Sequence, residues 1–139
     1  MNHLRILVVD DHEVVRHGLQ ALLGTQSGWE VVGEAVDGRE AVEKAVQLKP
    51  DIVILDISMP GINGLEATPL ILAAAPQSKI LIFSMHHSDL MEQTALQAGA
   101  RAYVRKSDAA RDLLAAVKAL SEHSTFFPSR VTKGMPKVA

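Results

Sequence analysis

The sequence contains no cysteine, few aromatic residues and no long apolar run. The absence of cysteine from its 139 residues excludes disulfide bonds and thiol chemistry. No apolar run approaches the roughly 20 residues that a membrane-spanning helix needs. Asp10 and Asp11 follow the first residues too soon for the apolar core of a signal peptide. The net charge of -2 gives no broad attraction to DNA or to anionic membranes. These absences predict a cytoplasmic protein without membrane contact.

The residues that are present form a regular alternation of two patterns. Short apolar runs of strand length alternate with segments whose apolar residues repeat at helical spacing. The predicted strands are 4–9, 29–35, 52–55, 79–84 and 101–104, and the predicted helices are 12–23, 38–48, 64–75, 88–98 and 107–120. Strands that are apolar throughout need helices on both faces, and crossovers between parallel strands are right-handed. The order therefore predicts an α/β fold with a doubly wound, five-stranded parallel sheet.

The predicted domain covers residues 1–121, and residues 122–139 form a tail without periodicity. This tail contains two prolines and a glycine, so we expect it to be a partly disordered tail or linker. Pro69 lies inside the third predicted helix, where it removes a backbone donor and clashes with the preceding turn. We therefore predict a kink or a late helix start at Pro69. Asp37 is a candidate N-cap for the second helix.

Polar residues follow four of the predicted strands. Asp10 and Asp11 follow the first strand, Asp56 follows the third, Ser84 ends the fourth and Lys106 follows the fifth. Functional residues of open parallel sheets gather at the carboxyl ends of the strands, so these five side chains are expected to converge. Three adjacent carboxylates repel one another, and a divalent cation relieves that repulsion. With no cysteine in the chain and no histidine expected at these strand ends, the oxygen ligands favour Mg²⁺.

The same group of residues suits phosphoryl transfer. A carboxylate can act as a nucleophile and form an aspartyl phosphate. The ammonium group of Lys106 and the hydroxyl of Ser84 can stabilise the charge of a phosphoryl group. Each residue taken alone has a simpler interpretation: the aspartate pair as a helix cap, Lys106 as a solvated lysine, and Tyr103 as packing. The six histidines are interpreted as surface or loop residues rather than as metal ligands.

Four segments in order resemble a known family. They are ILVVDDH at 6–12, DIVILDISMPG at 51–61, FSM at 83–85 and GARAYVRK at 99–106. Together they resemble the receiver domain of bacterial two-component response regulators, with the character of the NarL/FixJ (LuxR-type) subgroup. The resemblance covers roughly residues 3–121. It implies the flavodoxin-like receiver fold with strand order 2-1-3-4-5.

The resemblance also implies roles for residues at the acidic end of the sheet. Asp56 would accept a phosphoryl group from a histidine kinase, in a phosphorelay that uses Mg²⁺. Asp11 would bind the metal directly and Asp10 chiefly through water. The backbone carbonyl of Ser58 would be another metal ligand. The chain would then be a phosphoacceptor switch rather than an enzyme with an external substrate.

The switch residues follow from the same resemblance. Ser84 would bond the phosphoryl group, Lys106 would pair with it, and Tyr103 would turn inward when Ser84 moves toward the phosphate. In this subgroup the receiver precedes a helix-turn-helix DNA-binding domain, which controls transcription; we expect no such domain within these 139 residues. We expect either part of a longer transcription regulator, with possible dimerisation on phosphorylation, or a stand-alone receiver that acts through protein contacts.

Two other functions fit the same fold. A flavin- or nucleotide-binding module would need a phosphate-cradling loop after the first strand, whereas residues 10–13 are DDHE and repel phosphate without a cation. A yellow colour on purification would favour that module. A hydrolase with Asp56 as nucleophile would need a second acid two residues on, where Ser58 is found. Turnover of external phosphomonoesters would favour the hydrolase.

Overall fold

Five parallel strands form the central sheet, and a helix follows each strand. The computed structural model describes residues 3–128. The strands are β1 (Leu4–Val9), β2 (Trp29–Ala35), β3 (Ile52–Leu55), β4 (Lys79–Ser84) and β5 (Ala102–Arg105). The helices are α1 (Glu13–Leu23), α2 (Gly38–Leu48), α3 (Gly64–Ala74), α4 (Asp89–Ala98) and α5 (Ala109–Ser121). The order β2-β1-β3-β4-β5 confirms the predicted topology. Within residues 3–128, no helix is both long and apolar enough to cross a membrane.

The sheet separates two apolar cores because successive residues of a strand point to opposite faces. In the central strand β3, Val53 and Leu55 join the core under α2, α3 and α4. Ile52 and Ile54 join the core under α1 and α5. All four side chains are buried, as expected for a parallel strand covered on both faces. This double burial holds the carboxyl end of β3, and therefore Asp56, in the middle of the sheet edge.

The starts of α2 and α3 are set by their capping residues. The Asp37 carboxylate accepts a hydrogen bond of 2.8 Å from the backbone N–H of Glu40, which confirms the predicted N-cap. Asn63 and Glu66 form a reciprocal capping box, so α3 begins at Gly64. The predicted late start at Pro69 was therefore wrong, because the helix already begins at Gly64, before the proline. Pro69 is inside the helix and lacks a backbone donor; a kink there stays a prediction.

The chain after α5 returns to the outer edge of the sheet. Phe126 forms a parallel bridge with Ala102, and the backbone N–H of Tyr103 donates a hydrogen bond of 2.8 Å to the carbonyl of Phe126. Phe126 packs against the core under α1 and α5, and Phe127 packs against the opposite core. Phe126 therefore extends the sheet beyond β5 by a single bridge. The rest of the predicted tail, residues 129–139, lies outside the described residues.

Candidate functional site

An ammonium group and two buried carboxylates meet at the carboxyl edge of the sheet. Lys106 Nζ lies 2.7 Å from Asp10 Oδ2 and 3.3 Å from Asp56 Oδ2. The exposed fractions are 1% for Asp10 and 3% for Asp56. Asp11 is exposed and offers a carboxylate oxygen within 4.8 Å of those of Asp10 and Asp56. Four of the residues predicted to converge are therefore in one cluster.

The strand register explains how residues far apart in the chain come together. Val9 pairs with Leu55 in the parallel sheet, so Asp10 and Asp56 occupy the next positions along adjacent strands. The backbone N–H of Asp56 continues the ladder with a hydrogen bond of 3.0 Å to the carbonyl of Val9. Lys106 begins a short 3-10 helix directly after β5 and reaches back across the sheet edge to both carboxylates.

Burial and charge act in opposite directions on Asp56. Burial is the largest influence and raises the pKa of Asp56, and the neighbouring Asp10 carboxylate raises it further. The charge of Lys106 and the backbone N–H of Ser58 lower the pKa of Asp56, but they do not reverse the shift. Lys106 brings one positive charge to three carboxylates. A divalent cation with oxygen ligands fits this donor set, because it would supply the charge that a single ammonium does not.

His12 lies in this acidic cluster, although it was not predicted there. Its Nδ1 is 3.1 Å from Asp10 Oδ1 and 3.1 Å from Asp11 Oδ1, and its backbone N–H donates to Asp10 Oδ1. The expectation that no histidine stands at these strand ends was therefore wrong. The available signal was position, since His12 is the N-cap residue of α1 and directly follows the aspartate pair.

Arg16 connects α1 to the backbone of the site and to β2. Its Nη1 donates a hydrogen bond of 2.7 Å to the backbone carbonyl of Asp10, and its Nε lies 2.7 Å from Glu34 Oε1. The Arg16 side chain is 12% exposed, and its hydrogen bond to Glu34, helped by its charge, lowers the pKa of that carboxyl group. Arg16 therefore holds the backbone from which the Asp10 carboxylate projects. No signal in the sequence distinguishes Arg16 from other polar residues of a helix.

Gly64 packs directly against the backbone of Asp56. A Cβ atom at Gly64 would lie 2.1 Å from the carbonyl oxygen of Asp56, a distance that real side chains do not adopt. The backbone N–H of Gly64 donates a hydrogen bond of 2.9 Å to the carbonyl of Ile57. The loop after β3 can close in this way only around a residue without a side chain. From sequence, Gly64 marked only the start of a helix.

Ser84 and Tyr103 are buried beside the loop that follows β4. The Tyr103 hydroxyl donates a hydrogen bond of 2.5 Å to the carbonyl of His86, and the N–H of His86 donates one of 3.0 Å to Ser84 Oγ. Both side chains are 0% exposed. Burial raises the pKa of Tyr103, and the charges of Glu92 and Asp56 raise it further, against a hydrogen bond from Ser84. The Tyr103 ring is thus in the inward position.

Ser58 lies in the exposed loop after Asp56. Its backbone N–H forms a hydrogen bond with the Asp56 carboxylate and lowers the pKa of Asp56, so Ser58 lies beside the cluster. The metal-binding role of its carbonyl stays a prediction.

Comparison with known proteins shows the family of this fold and site. The model of the response regulator receiver domain matches residues 6–118. The chain belongs to the response regulator receiver family. The receiver is 41% identical over 128 residues to the response regulator protein VraR of Staphylococcus aureus, covering 92% of this chain and 61% of that protein. It therefore spans about three-fifths of the length of this curated relative.

Solved receiver structures agree with the predicted subgroup. A two-component response regulator of the LuxR family from Aurantimonas sp. SI85-9A1 is 36% identical, with a TM-score of 0.87 and coverage of 94% of this chain and 93% of that one. The isolated receiver domain of RcsB from Salmonella enterica serovar Typhimurium, solved with the phosphomimetic BeF3-, is 27% identical. Its TM-score is 0.85, with coverage of 95% of this chain and 98% of that one. The predicted receiver family and NarL/FixJ (LuxR-type) subgroup are confirmed.

Proposed function

We propose that this receiver domain accepts a phosphoryl group on Asp56 from a histidine kinase and thereby changes its surface. The observation that carries the proposal is the contact of Lys106 Nζ with the buried carboxylates of Asp10 and Asp56. A lysine held between two buried carboxylates presents a fixed positive charge where the charge of a phosphoryl group would develop. Asp56 is the better acceptor of the two because Asp10 is already held by Lys106 and by the backbone of His12.

In the proposed reaction, a carboxylate oxygen of Asp56 attacks the phosphorus atom of a phosphohistidine. The phosphorus–nitrogen bond breaks, an aspartyl phosphate forms, and the kinase imidazole leaves with the bonding electron pair and takes up a proton. The attacking carboxylate must be ionised, and Lys106 favours the ionised form against the effect of burial. Lys106 and the Ser84 hydroxyl then stabilise the phosphoryl oxygens.

The acidic cluster is proposed to hold Mg²⁺ through the carboxylates of Asp10, Asp11 and Asp56 and the carbonyl of Ser58. When bound, the cation supplies positive charge to the phosphoryl oxygens. The carboxylate donor set of the cluster supports this assignment, since Mg²⁺ prefers oxygen ligands. The receiver acts in this scheme as a phosphoacceptor switch, which assists its own phosphorylation and dephosphorylation.

Output is proposed to follow from the loop after β4. Phosphorylation adds charge and strong acceptor oxygens, which attract Ser84 and Lys106. Because His86 bonds Ser84 through its N–H and the inward Tyr103 through its carbonyl, a shift of Ser84 is transmitted to the loop of residues 85–88 and to α4. Residues 1–121 form the receiver in this proposal and residues 122–139 a tail or linker. In the NarL/FixJ subgroup the output is transcription through a DNA-binding domain, with a homodimer on phosphorylation; RcsB dimers have been solved bound to DNA.

Phosphoramidate tests the acceptor because it contains the phosphorus–nitrogen bond of phosphohistidine. With Mg²⁺, intact-mass spectrometry should show the addition of one phosphoryl group to the wild type and none to Asp56→Asn. The matched control is Asp112→Asn, which changes a half-buried carboxylate of α5 that is paired with Arg111 and should leave labelling unchanged. Chelation of Mg²⁺ should abolish labelling. Equal labelling of Asp56→Asn and the wild type would refute the proposal.

A further inference from the structure

Several hydrogen bonds hold the loop of residues 85–88, which connects β4 to α4. The N–H and the carbonyl of His86 bond Ser84 and Tyr103, as described above. Ser88 ends the loop by capping α4, since its hydroxyl accepts a hydrogen bond of 3.1 Å from the N–H of Met91. The loop is therefore held by its backbone to both residues of the proposed switch.

His87 adds a side-chain contact to these backbone bonds. Its Nε2 forms a short contact with Oε2 of Glu92, on the first turn of α4. Glu92 is 0% exposed, and the side chain of His87 is 24% exposed. A fully buried carboxylate is stabilised by polar partners, and His87 is one such partner of Glu92, so the contact ties the imidazole to the helix. The imidazole also packs edge-on against Tyr103, with ring centroids 6.1 Å apart.

We infer that the His87–Glu92 pair is a latch that holds the 85–88 loop in the position where its backbone receives the Tyr103 hydroxyl. The latch keeps Tyr103 inward before Asp56 is phosphorylated. His87 and Glu92 are thus positioning residues for the switch, and this role rests on the proposed function of Asp56 and Ser84. The physical reason is connectivity, because His87 follows the residue that Tyr103 bonds and is fixed to the rigid helix that Ser88 begins.

The latch has a measurable consequence for phosphorylation. When a ligand binds only one of two conformations, its apparent dissociation constant equals the intrinsic value divided by the fraction of molecules in the competent conformation. With the latch intact, Tyr103 is already inward, so the population shift that binding requires does not include this ring. If its loss lowers the inward fraction to about one tenth, the apparent dissociation constant of a phosphoryl mimic rises about tenfold. The acceptor chemistry at Asp56 is unaltered in this comparison.

Tyr103 is the only tyrosine of the chain, so 3-fluorotyrosine gives a single ¹⁹F resonance that reports its environment. The spectra of the wild type, His87→Ala, Glu92→Ala and the double variant are compared with and without beryllofluoride and Mg²⁺. The matched control is His86→Ala, which removes a neighbouring imidazole but keeps the backbone groups that bond Ser84 and Tyr103. Urea unfolding of each protein verifies that it is folded under the conditions of the spectra.

The wild-type resonance should move little on addition of beryllofluoride. In both single variants the free-state resonance should shift toward that of a solvent-exposed ring, and beryllofluoride should reverse the shift with about tenfold weaker affinity. The resonance shift and the loss of affinity in the double variant should be no larger than in either single variant, because the two residues act as one unit. His86→Ala should behave as the wild type.

Three results would overturn the latch: wild-type resonances in both single variants, additive effects in the double variant, or an equal effect of His86→Ala. His87, Asp89 and Glu92 offer donor atoms within 4.8 Å of one another, so a bound metal ion is the alternative to a direct His87–Glu92 contact. If a chelator added to the Mg²⁺-free wild type shifts the resonance, a metal ion holds these residues, and the latch is overturned. Failure of the proposed function is distinguishable. The wild type would then fail to bind beryllofluoride, whereas the free-state spectra would still test the latch.

Discussion

Replacing Lys106 by methionine removes the cation of the site but keeps the aliphatic volume of the side chain. The contacts of 2.7 and 3.3 Å each correspond to a gross attraction of about 5 to 6 kcal/mol at an effective dielectric constant near 20. Desolvation of the three groups offsets most of it. Removing one partner of a buried ion pair costs about 3 to 5 kcal/mol. Lys106 is 14% exposed, so we expect the lower end, a loss of about 3 kcal/mol at pH 7 without Mg²⁺.

The loss should depend on pH in a definite direction. Lys106 lowers the pKa of Asp56, so its removal lets that pKa, already raised by burial, rise further. A carboxyl group whose pKa is raised by folding destabilises the fold above its folded pKa, and this penalty disappears as the pH falls to the unfolded value. The stability deficit of Lys106→Met should therefore be largest near neutral pH and shrink toward about pH 4.

Urea unfolding monitored by the fluorescence of Trp29, the single tryptophan, measures this deficit. With a slope of about 2 kcal/mol per molar urea, a loss of 3 kcal/mol moves the midpoint down by about 1.5 M. Saturating Mg²⁺ should restore part of the shift, because it supplies charge to the same carboxylates. Lys118→Met, on the exposed face of α5, is the control and should move the midpoint little. A shift below about 0.3 M, or one independent of pH, would refute the electrostatic reasoning.

Three further variants test other parts of the structure. Asp56→Asn should raise the urea midpoint of the Mg²⁺-free protein at pH 7, because it removes a buried charge, and this gain should fade as the pH falls toward about 4. Gly64→Ala should lower stability by about 2 kcal/mol in urea unfolding and slow phosphoramidate labelling, because its Cβ collides with the Asp56 carbonyl. Phe126→Ala should lower stability by about 2 kcal/mol and speed hydrogen exchange at the Tyr103 amide, measured by NMR.

For each of these three variants, one result would contradict the prediction. For Asp56→Asn it is a midpoint equal to or below that of the wild type at pH 7. Gly18→Ala is the matched control for Gly64→Ala, since a Cβ at this position in α1 meets nothing within 4 Å. Equal effects of the two glycine substitutions would remove the steric argument. Unchanged exchange at Tyr103 in Phe126→Ala would show that the bridge to β5 does not protect that amide.

The strand order and the acidic cluster could be predicted because both depend on local patterns. Apolar runs of strand length mark β1 and β3, and the polar residues that follow them must then meet at one edge of a parallel sheet. Asp37 was recognised as an N-cap for the same reason, since turn and capping chemistry acts over a few residues. The reason for the convergence of Asp10, Asp56 and Lys106 was therefore present in the sequence once the fold class was known.

The remaining features depend on contacts that no local pattern encodes. Arg16 reaches a backbone carbonyl on another element, and Gly64 matters because the backbone of Asp56 approaches it. The contact of His87 with Glu92 crosses from a loop to a helix, so neither residue shows it in a periodicity. Phe126 bonds β5 through a single bridge, which is too short to give an alternating pattern. These features arise from tertiary packing.

The extension of the sheet by Phe126 affects how copies of this protein meet one another. An outer strand with free backbone groups is a template for edge-to-edge association and fibre growth. On the β5 side, the backbone of Phe126 occupies hydrogen-bonding groups of Arg101 and Tyr103. On the opposite side, β2 carries the exposed Glu30 and pairs with β1 through a register shift, both of which disfavour addition of another strand. Both borders of the described sheet therefore carry features that disfavour pairing with a second copy of the chain.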